Sequence, residues 1–275
     1  MPEIAGEEGP HHSGDQDCLR ELEYRCLLCG SPPFGFFILR PGTLEIAKNL
    51  FDVGCYGKAR PGYVGVDYLR LENIVCPVCF FASPLQIHFA RIAKIEKKSE
   101  ALDAMVMRAV EKNREERCAL GAKSDGSFWQ RERTDKDVVL SYELAIRSFG
   151  IVYEENKRFF AGYGYQRGVL KLKLAQFYQS LNMLDKEADA VEQAKRLFMD
   201  VYPFIEGESS YRMYFQMMAI ALFQKDKNMV MKSKSAADME LQKIRKDPKI
   251  NGESFQKWYN RIVDLFDRRD MYGVV

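Results

Sequence analysis

Four cysteines in two Cys-x-x-Cys pairs, Cys26-Leu-Leu-Cys29 and Cys76-Pro-Val-Cys79, are the residues of this chain whose type and spacing can do chemistry. Thiolate is a preferred zinc ligand, with a Zn–S distance of about 2.3 Å, and a two-residue spacer lets both sulfurs of one knuckle reach the same ion. The two pairs are therefore expected to share a single zinc. Gly30 follows the first pair, where the chain turns with positive φ at no steric cost, while Phe80 holds the equivalent place in the second. The 46 residues between the pairs exceed the roughly 15–20 of common zinc ribbons, so redox dithiols or plain buried cysteines are the competing readings. A redox pair calls for a thiol at a helix N-terminus, whereas these flanks read as strands. Phe34 to Leu39 leaves a Pro-Pro turn, and Tyr68 to Val75 alternates into the second pair. Four thiolates fill zinc's coordination shell and leave no position for water, which makes the expected site structural.

Other chemistry is sparse. The chain has three histidines, two of them adjacent at His11 and His12, and no His-Glu-x-x-His. The cluster Gly162, Gly164 and Gly168 lacks the Gly-Lys-Ser/Thr of a phosphate loop and reads as a turn between helices. No residues present themselves for catalysis, so the expectation is a protein that is not an enzyme. His88 is assigned a structural hydrogen-bonding role on a helix. Cys55, between Gly54 and Tyr56, is either a free cysteine near the ribbon or a thiol that exchanges with a ligand under oxidation. Cys18 and Cys118 suggest nothing specific.

Seven cysteines are an odd count for a disulfide framework, and the polar N-terminal stretch has no apolar core of a secretory signal, which together point to the cytoplasm. The longest apolar runs fall well short of the roughly 20 residues of a membrane span, so no membrane insertion is expected. Charge is nearly balanced at 41 basic and 39 acidic residues, but residues 1–90 hold 7 Lys/Arg against 11 Asp/Glu. An acidic ribbon argues against nucleic acid, whose phosphates call for a basic surface. That role would have to come from Lys94, Lys97, Lys98, Arg108, Lys112 and Arg114 in the segment that follows.

The elements that would position these residues divide the chain into a flexible acidic tail (1–17), a zinc-ribbon-like β module (18–90), a charged helix and connection (91–136) and a helical domain (137–275). Apolar residues from Ile87 to Val110 suit one or two amphipathic helices between Pro84 and Glu116. Residues 118–137 read as a long connection anchored by Trp129. Beyond Asp137, faces such as Tyr142, Ala145, Phe149 and Val152, then Leu170, Leu174, Phe177 and Leu181, recur at helical spacing. Breaks are expected at Gly162 to Gly164, at Asn182 to Asp185 and from Pro203 to Ser210, with Asp185 and Ser209 or Ser210 as N-caps. Further helices are expected over 227–245 and 253–268. The fold class expected is mainly α, a small zinc-ribbon-like β module followed by a TPR-like antiparallel array, or α-solenoid. Leu174, Ala175, Tyr178, Val191 and Ala194 fall at tetratricopeptide packing positions, although Lys171 stands at the usual Trp and Glu187 at a usual Ala.

Cys26, Cys29-Gly30, Asp52, Cys55-Tyr56, Cys76-Pro77, Cys79 and Ala82, followed by helices from Ala145 to Tyr202, form an order of features that resembles the bacterial family catalogued as domain of unknown function 2225. The resemblance implies zinc binding and a helical-repeat scaffold, and brings no activity with it. The functional expectation is a cytoplasmic, zinc-binding adaptor whose helical array docks a protein partner, with Tyr178, Tyr211 and Tyr214 as candidate lining residues. The alternative is a thiol switch in which oxidation of the knuckles releases zinc.

Overall fold

A computed structural model describes residues 16–85, 88–91, 104–246 and 252–274. Most of the expected tail, His11 and His12 with it, lies outside these residues. Gln16 and Asp17, the end of the expected tail, form β1 and pair in parallel with β6 (Tyr63–Val64). Inward and outward side chains along β2 (Leu19–Cys26) bury Leu19, Tyr24 and Cys26. This strand pairs antiparallel with β3 (Phe34–Leu39), Leu19 facing Leu39 and Tyr24 facing Phe34. A second hairpin joins β4 (Leu44–Lys48) to β5 (Gly54–Ala59), and a third, minimal one joins β7 (Ile74–Val75) to β8 (Ala82–Ser83).

Two strand and helix expectations need correction. Tyr68 to Val75 is not one strand: Tyr68–Leu71 is a 3₁₀ turn, because the Asp67 carboxylate accepts from the Leu69 amide at 3.2 Å and Leu69 and Leu71 point into the core. The helix expected from Pro84 is likewise interrupted at its start. Phe89–Arg91 forms β9 on the other edge of β2, with Cys26 opposite Phe89, so an edge that would otherwise be open is paired. Ile87, Ile92, Ile95 and Leu102 lie outside the described residues. Among the described residues the α-helices begin with α1 (Ala104–Lys112) and α2 (Arg114–Gly121).

The expected connection over 118–137 is shorter and better ordered than its composition suggests, since α2 extends to Gly121. Buried Asp137 then gathers the loop, accepting from Ser124 Oγ at 2.6 Å and from Ser127 N at 2.8 Å. Trp129 does anchor it, donating Nε1–H to Val75 O at 2.9 Å. Thr134 caps α3 (Asp135–Glu155) by accepting from Asp137 N.

The remaining helices are α4 (Ala161–Ser180), α5 (Leu184–Val201), α6 (Glu208–Phe223), α7 (Lys227–Lys246) and α8 (Gly252–Asp267). Gly162 and Gly164 do not break the chain; that break falls over 156–160. Gly164 and Gly168 lie inside α4 for a packing reason: a Cβ on Gly164 would stand 2.8 Å from the Tyr153 ring, and one on Gly168 2.3 Å from the Phe198 ring. Neighbouring helices on both sides approach the α4 backbone directly. Contacts of Gly164 with Val201, Gly168 with Phe198, and Gln179 with Glu187 show α4 and α5 running antiparallel. Those of Gly164 with Tyr153 and Lys171 with Glu143 show the same for α3 and α4. Asp185 and Ser210 sit in first turns, and the N-cap positions are Met183 and Gly207.

Among the described residues, three apolar clusters result. One fills the helices from α4 to α8 and takes in Phe51 and Val53 from the β4–β5 loop. A second joins Cys26, Cys76, Cys79, Phe81 and Phe89 to Val106 and Val110 of α1 and to Val152 and Phe160. The third packs Val75, Ala82 and Leu69 under α3 and α4. The protein is thus mainly helical with small strand pieces in its N-terminal part. Among the described residues, no helix is long and apolar enough to cross a membrane.

Candidate metal centre

Each knuckle is the turn of a hairpin. Cys26 ends β2 and Cys29 lies in the turn before β3, while Cys76 to Phe81 is the whole connection from β7 to β8. Both turns close alike: Gly30 N donates to Cys26 O at 3.0 Å, and Phe80 N to Cys76 O at 3.1 Å. Gly30 has φ +62° and Phe80 φ +52°, so Phe80 adopts the same left-handed backbone without glycine's freedom. Its ring lies against Gly121 of α2, where a Cβ would come within 2.1 Å of Phe80 Cδ1. The strain at Phe80 is offset by a seat that only glycine leaves open.

The two turns bring the four sulfurs together. Cys26 Sγ is 3.9 Å from Cys79 Sγ and Cys29 Sγ is 3.6 Å from Cys76 Sγ, and the ligand atoms of all four residues lie within 4.8 Å of one another. Ligands about 2.3 Å from a tetrahedral centre stand about 3.8 Å apart, so the donor set fits one tetrahedral ion. Val78 N points at Cys76 Sγ from 3.4 Å, the amide-to-sulfur contact that a two-residue spacer provides. Cys26, Cys76 and Cys79 are buried, and Cys29 is half-buried.

Electrostatics favour a cation here. Hydrogen bonds with Cys26 and Cys79 hold the Cys76 thiol down at about 2, whereas the Cys76 and Cys79 sulfurs, then burial, push Cys26 up. For Cys79 the hydrogen bond with Cys26 lowers its value, but Cys76 and burial outweigh it and raise the thiol to about 12. Ionising all four requires a positive charge among them.

The other cysteines stand apart. Cys55 on β5 lies against Val53 O, 4.0 Å from its sulfur, with its pKa raised by burial, and does not join the cluster. Cys18 is buried against Thr43 O. His88 is no ligand either. It has the expected hydrogen-bonding role, but in a 3₁₀ turn at the start of β9 rather than on a long amphipathic helix, with Nδ1 2.7 Å from Ser83 Oγ and Nε2 3.1 Å from the Tyr163 hydroxyl. Burial pushes His88 down to about 4. A histidine lowered in the folded state contributes stability that is complete above its unfolded value near 6.5 and lost as pH falls toward the folded value. Between pH 7 and 4, urea unfolding of the wild type should lose about 3 kcal/mol more than that of His88→Gln. Parallel pH curves would contradict this account.

Of the basic residues considered for nucleic acid, Lys112 is paired with Glu155 and Arg114 with Glu111, while Lys94, Lys97 and Lys98 lie outside the described residues. Tyr211, a candidate lining residue, is buried in the helical core; Tyr178 and Tyr214 are half-buried.

Three sites escaped the sequence reading. Asp52, with φ +62° and its side chain 1% exposed, is paired with Lys48 at 2.9 Å, Arg261 at 2.7 Å and Arg212 at 3.3 Å. Glu72 accepts from Tyr56 at 2.6 Å and Tyr142 at 3.2 Å and is paired with Lys173 at 2.8 Å. Arg117 is fully buried beside the second knuckle, its Nε donating to Cys79 O at 3.3 Å. Local pattern carries no signal for these long-range partners, although Asp52 and Tyr56 are among the residues that carry the family resemblance.

Comparison with curated proteins and with solved structures finds no match. A family profile matches residues 57–267, a stretch that includes Cys76 and Cys79 and starts after Cys26 and Cys29. That match covers most of the chain, from β5 through α8, and the protein belongs to the family described as uncharacterized protein conserved in bacteria (DUF2225).

Proposed function

We propose that this protein is a non-enzymatic cytoplasmic scaffold in which one structural zinc ion, held by Cys26, Cys29, Cys76 and Cys79, secures the N-terminal module (18–90), and a TPR-like helical array (137–275) docks a protein partner. The observation that carries this reading is the approach of four sulfurs to tetrahedral spacing, with three of them buried and no room in the donor set for a substrate. The antiparallel pairing of α4 with α5 supports the repeat reading. So does the parallel course of α6 and α8, where Tyr211 meets Phe255 and Phe215 meets Trp258. Tyr178 and Tyr214 are the half-buried aromatics available to a partner.

One observation favours the thiol switch as a second reading: Cys29 is the half-buried member of the set and gives an oxidant one point of entry. Zinc retained at mild peroxide concentrations would remove it.

Elemental mass spectrometry of protein purified under reducing conditions tests the metal. One zinc per chain is expected in the wild type and none in Cys76→Ser; a metal-free wild type would sink the site. The docking role fails if the metallated chain retains no partner in affinity capture from extracts of its native cell.

A further inference from the structure

A buried guanidinium is stabilised by a nearby anion, and among the described residues Arg117 has no carboxylate within ion-pair distance. Its Nε donates to Cys79 O, and its Nη1 to Val110 O and Asn113 Oδ1. Nη2 has no hydrogen-bond partner among the described residues, although the side chain is wholly buried. Neutral acceptors solvate a cation without cancelling its charge, and an uncompensated charge in the interior is strongly unfavourable. The anion at hand is the cysteine cluster. Burial lowers Arg117, and the charge and side chain of Cys79, which supplies one of the four sulfurs, work against that ahead of the charges of Cys118 and Glu111. Four thiolates around a divalent ion leave a net double negative charge in an apolar setting.

The seat of α2 fixes this arrangement independently. Arg117 and Gly121 are one turn apart on the same helical face. Gly121 takes the Phe80 ring while Arg117 takes the Cys79 carbonyl, so both bind consecutive residues of one knuckle. The helix is held over the knuckle at two points, and the guanidinium has little freedom to turn away.

We propose that Arg117 is the counter-cation of the metal centre, a positioning residue that stabilises the charge of the bound thiolates and lowers the electron density on their sulfurs. The inference rests on the four cysteines binding a divalent metal. Its consequence is a tighter and less reactive centre, because a thiolate facing a fixed cation is a poorer nucleophile toward oxidants and electrophiles.

The test uses the full chain as wild type, Arg117→Met and Arg117→Lys. Zinc affinity is measured by competition with a chromophoric chelator, and the sulfur-to-metal charge-transfer band is recorded after cobalt(II) substitution. Arg117→Met is expected to lose about 10–100-fold in zinc affinity, the usual effect of removing an outer-shell partner. Its cobalt band should move to lower energy as the sulfurs become more electron-rich. Arg117→Lys keeps the charge and should keep the wild-type band position and most of the affinity. A Met variant with wild-type affinity and an unmoved band overturns the proposal. Should Arg117→Met fail to fold, the Lys variant decides: a displaced band despite the retained charge also overturns it. A chain that binds no zinc in any form overturns the metal reading along with this one.

Discussion

Stripping the proposed zinc from the wild-type chain with a chelator, under reducing conditions at neutral pH, is expected to abolish amide protection in β2, β7 and β8 and to carry the loss into α1. β7 and β8, of two residues each, are too short to hold by themselves, and the longer β2 ends in the ligand residue Cys26. Apparent binding energies of structural zinc sites, about 10–16 kcal/mol, are comparable with the whole stability of a domain, about 5–15 kcal/mol. The effect should spread because Cys26, Cys76 and Cys79 belong to the same apolar cluster as Val106, Val110, Val152 and Phe160. Helices α6 and α8 pack in a different cluster and should keep their protection. Hydrogen exchange read by mass spectrometry on both forms decides the matter; unchanged protection over β7 and β8 would show that the metal does not hold the fold.

The second large effect is expected at Asp52. Burial alone would push its carboxyl up, but hydrogen bonds from Arg261 and Lys48, with their charges, outweigh burial and hold it below the ordinary carboxylate value. Arg261 in turn lies over the rings of Phe215 and Trp258, 4.3 and 4.5 Å from their centroids, so this carboxylate ties the β4–β5 loop to α6 and α8. Asp52→Asn keeps the shape and tolerates the left-handed backbone, which isolates the charge. It should cost about 3 kcal/mol, the lower end for a broken buried pair, since the cations retain some access to water. A carboxyl lowered on folding stabilises above its unfolded value near 3.9, and that gain is lost as pH falls through the folded value. The gap between wild type and Asp52→Asn should therefore be complete at pH 6 and close below about pH 3.9. Urea unfolding followed by Trp258 fluorescence would show it; equal midpoints at pH 6 would refute the role.

What the sequence made legible follows the range of the interaction. Cys-x-x-Cys spacing is local, and it located all four sulfurs. Helical periodicity is local too, and it found α3 to α8 with boundaries a few residues off. Apart from the 3₁₀ turn at Tyr68–Leu71, which the neighbouring Asp67 side chain caps, most of the differences trace to a distant partner. Phe89 is a strand residue because β2 offers it an edge. Gly164 and Gly168 are helical because Tyr153, Phe198 and Val201 need the space beside α4. Phe80 tolerates positive φ because Gly121 receives its ring. Arg117 reads as one more charge in a charged segment, and its burial follows from where α2 lands.

The Asp52 junction also bears on how the chain comes into being. Phe51 packs edge-on against Phe223, with ring centroids 5.6 Å apart, and Asp52 waits for Arg212 and Arg261. During synthesis the β4–β5 loop therefore leaves the ribosome long before its partners exist. Both cysteine knuckles, in contrast, are complete once Cys79 has emerged. On the proposed zinc reading the four cysteines can take up their ion early, and the chain must then keep an apolar ring and a bare carboxylate in solution until the last long helix arrives. That interval is when the nascent protein has most to gain from a chaperone.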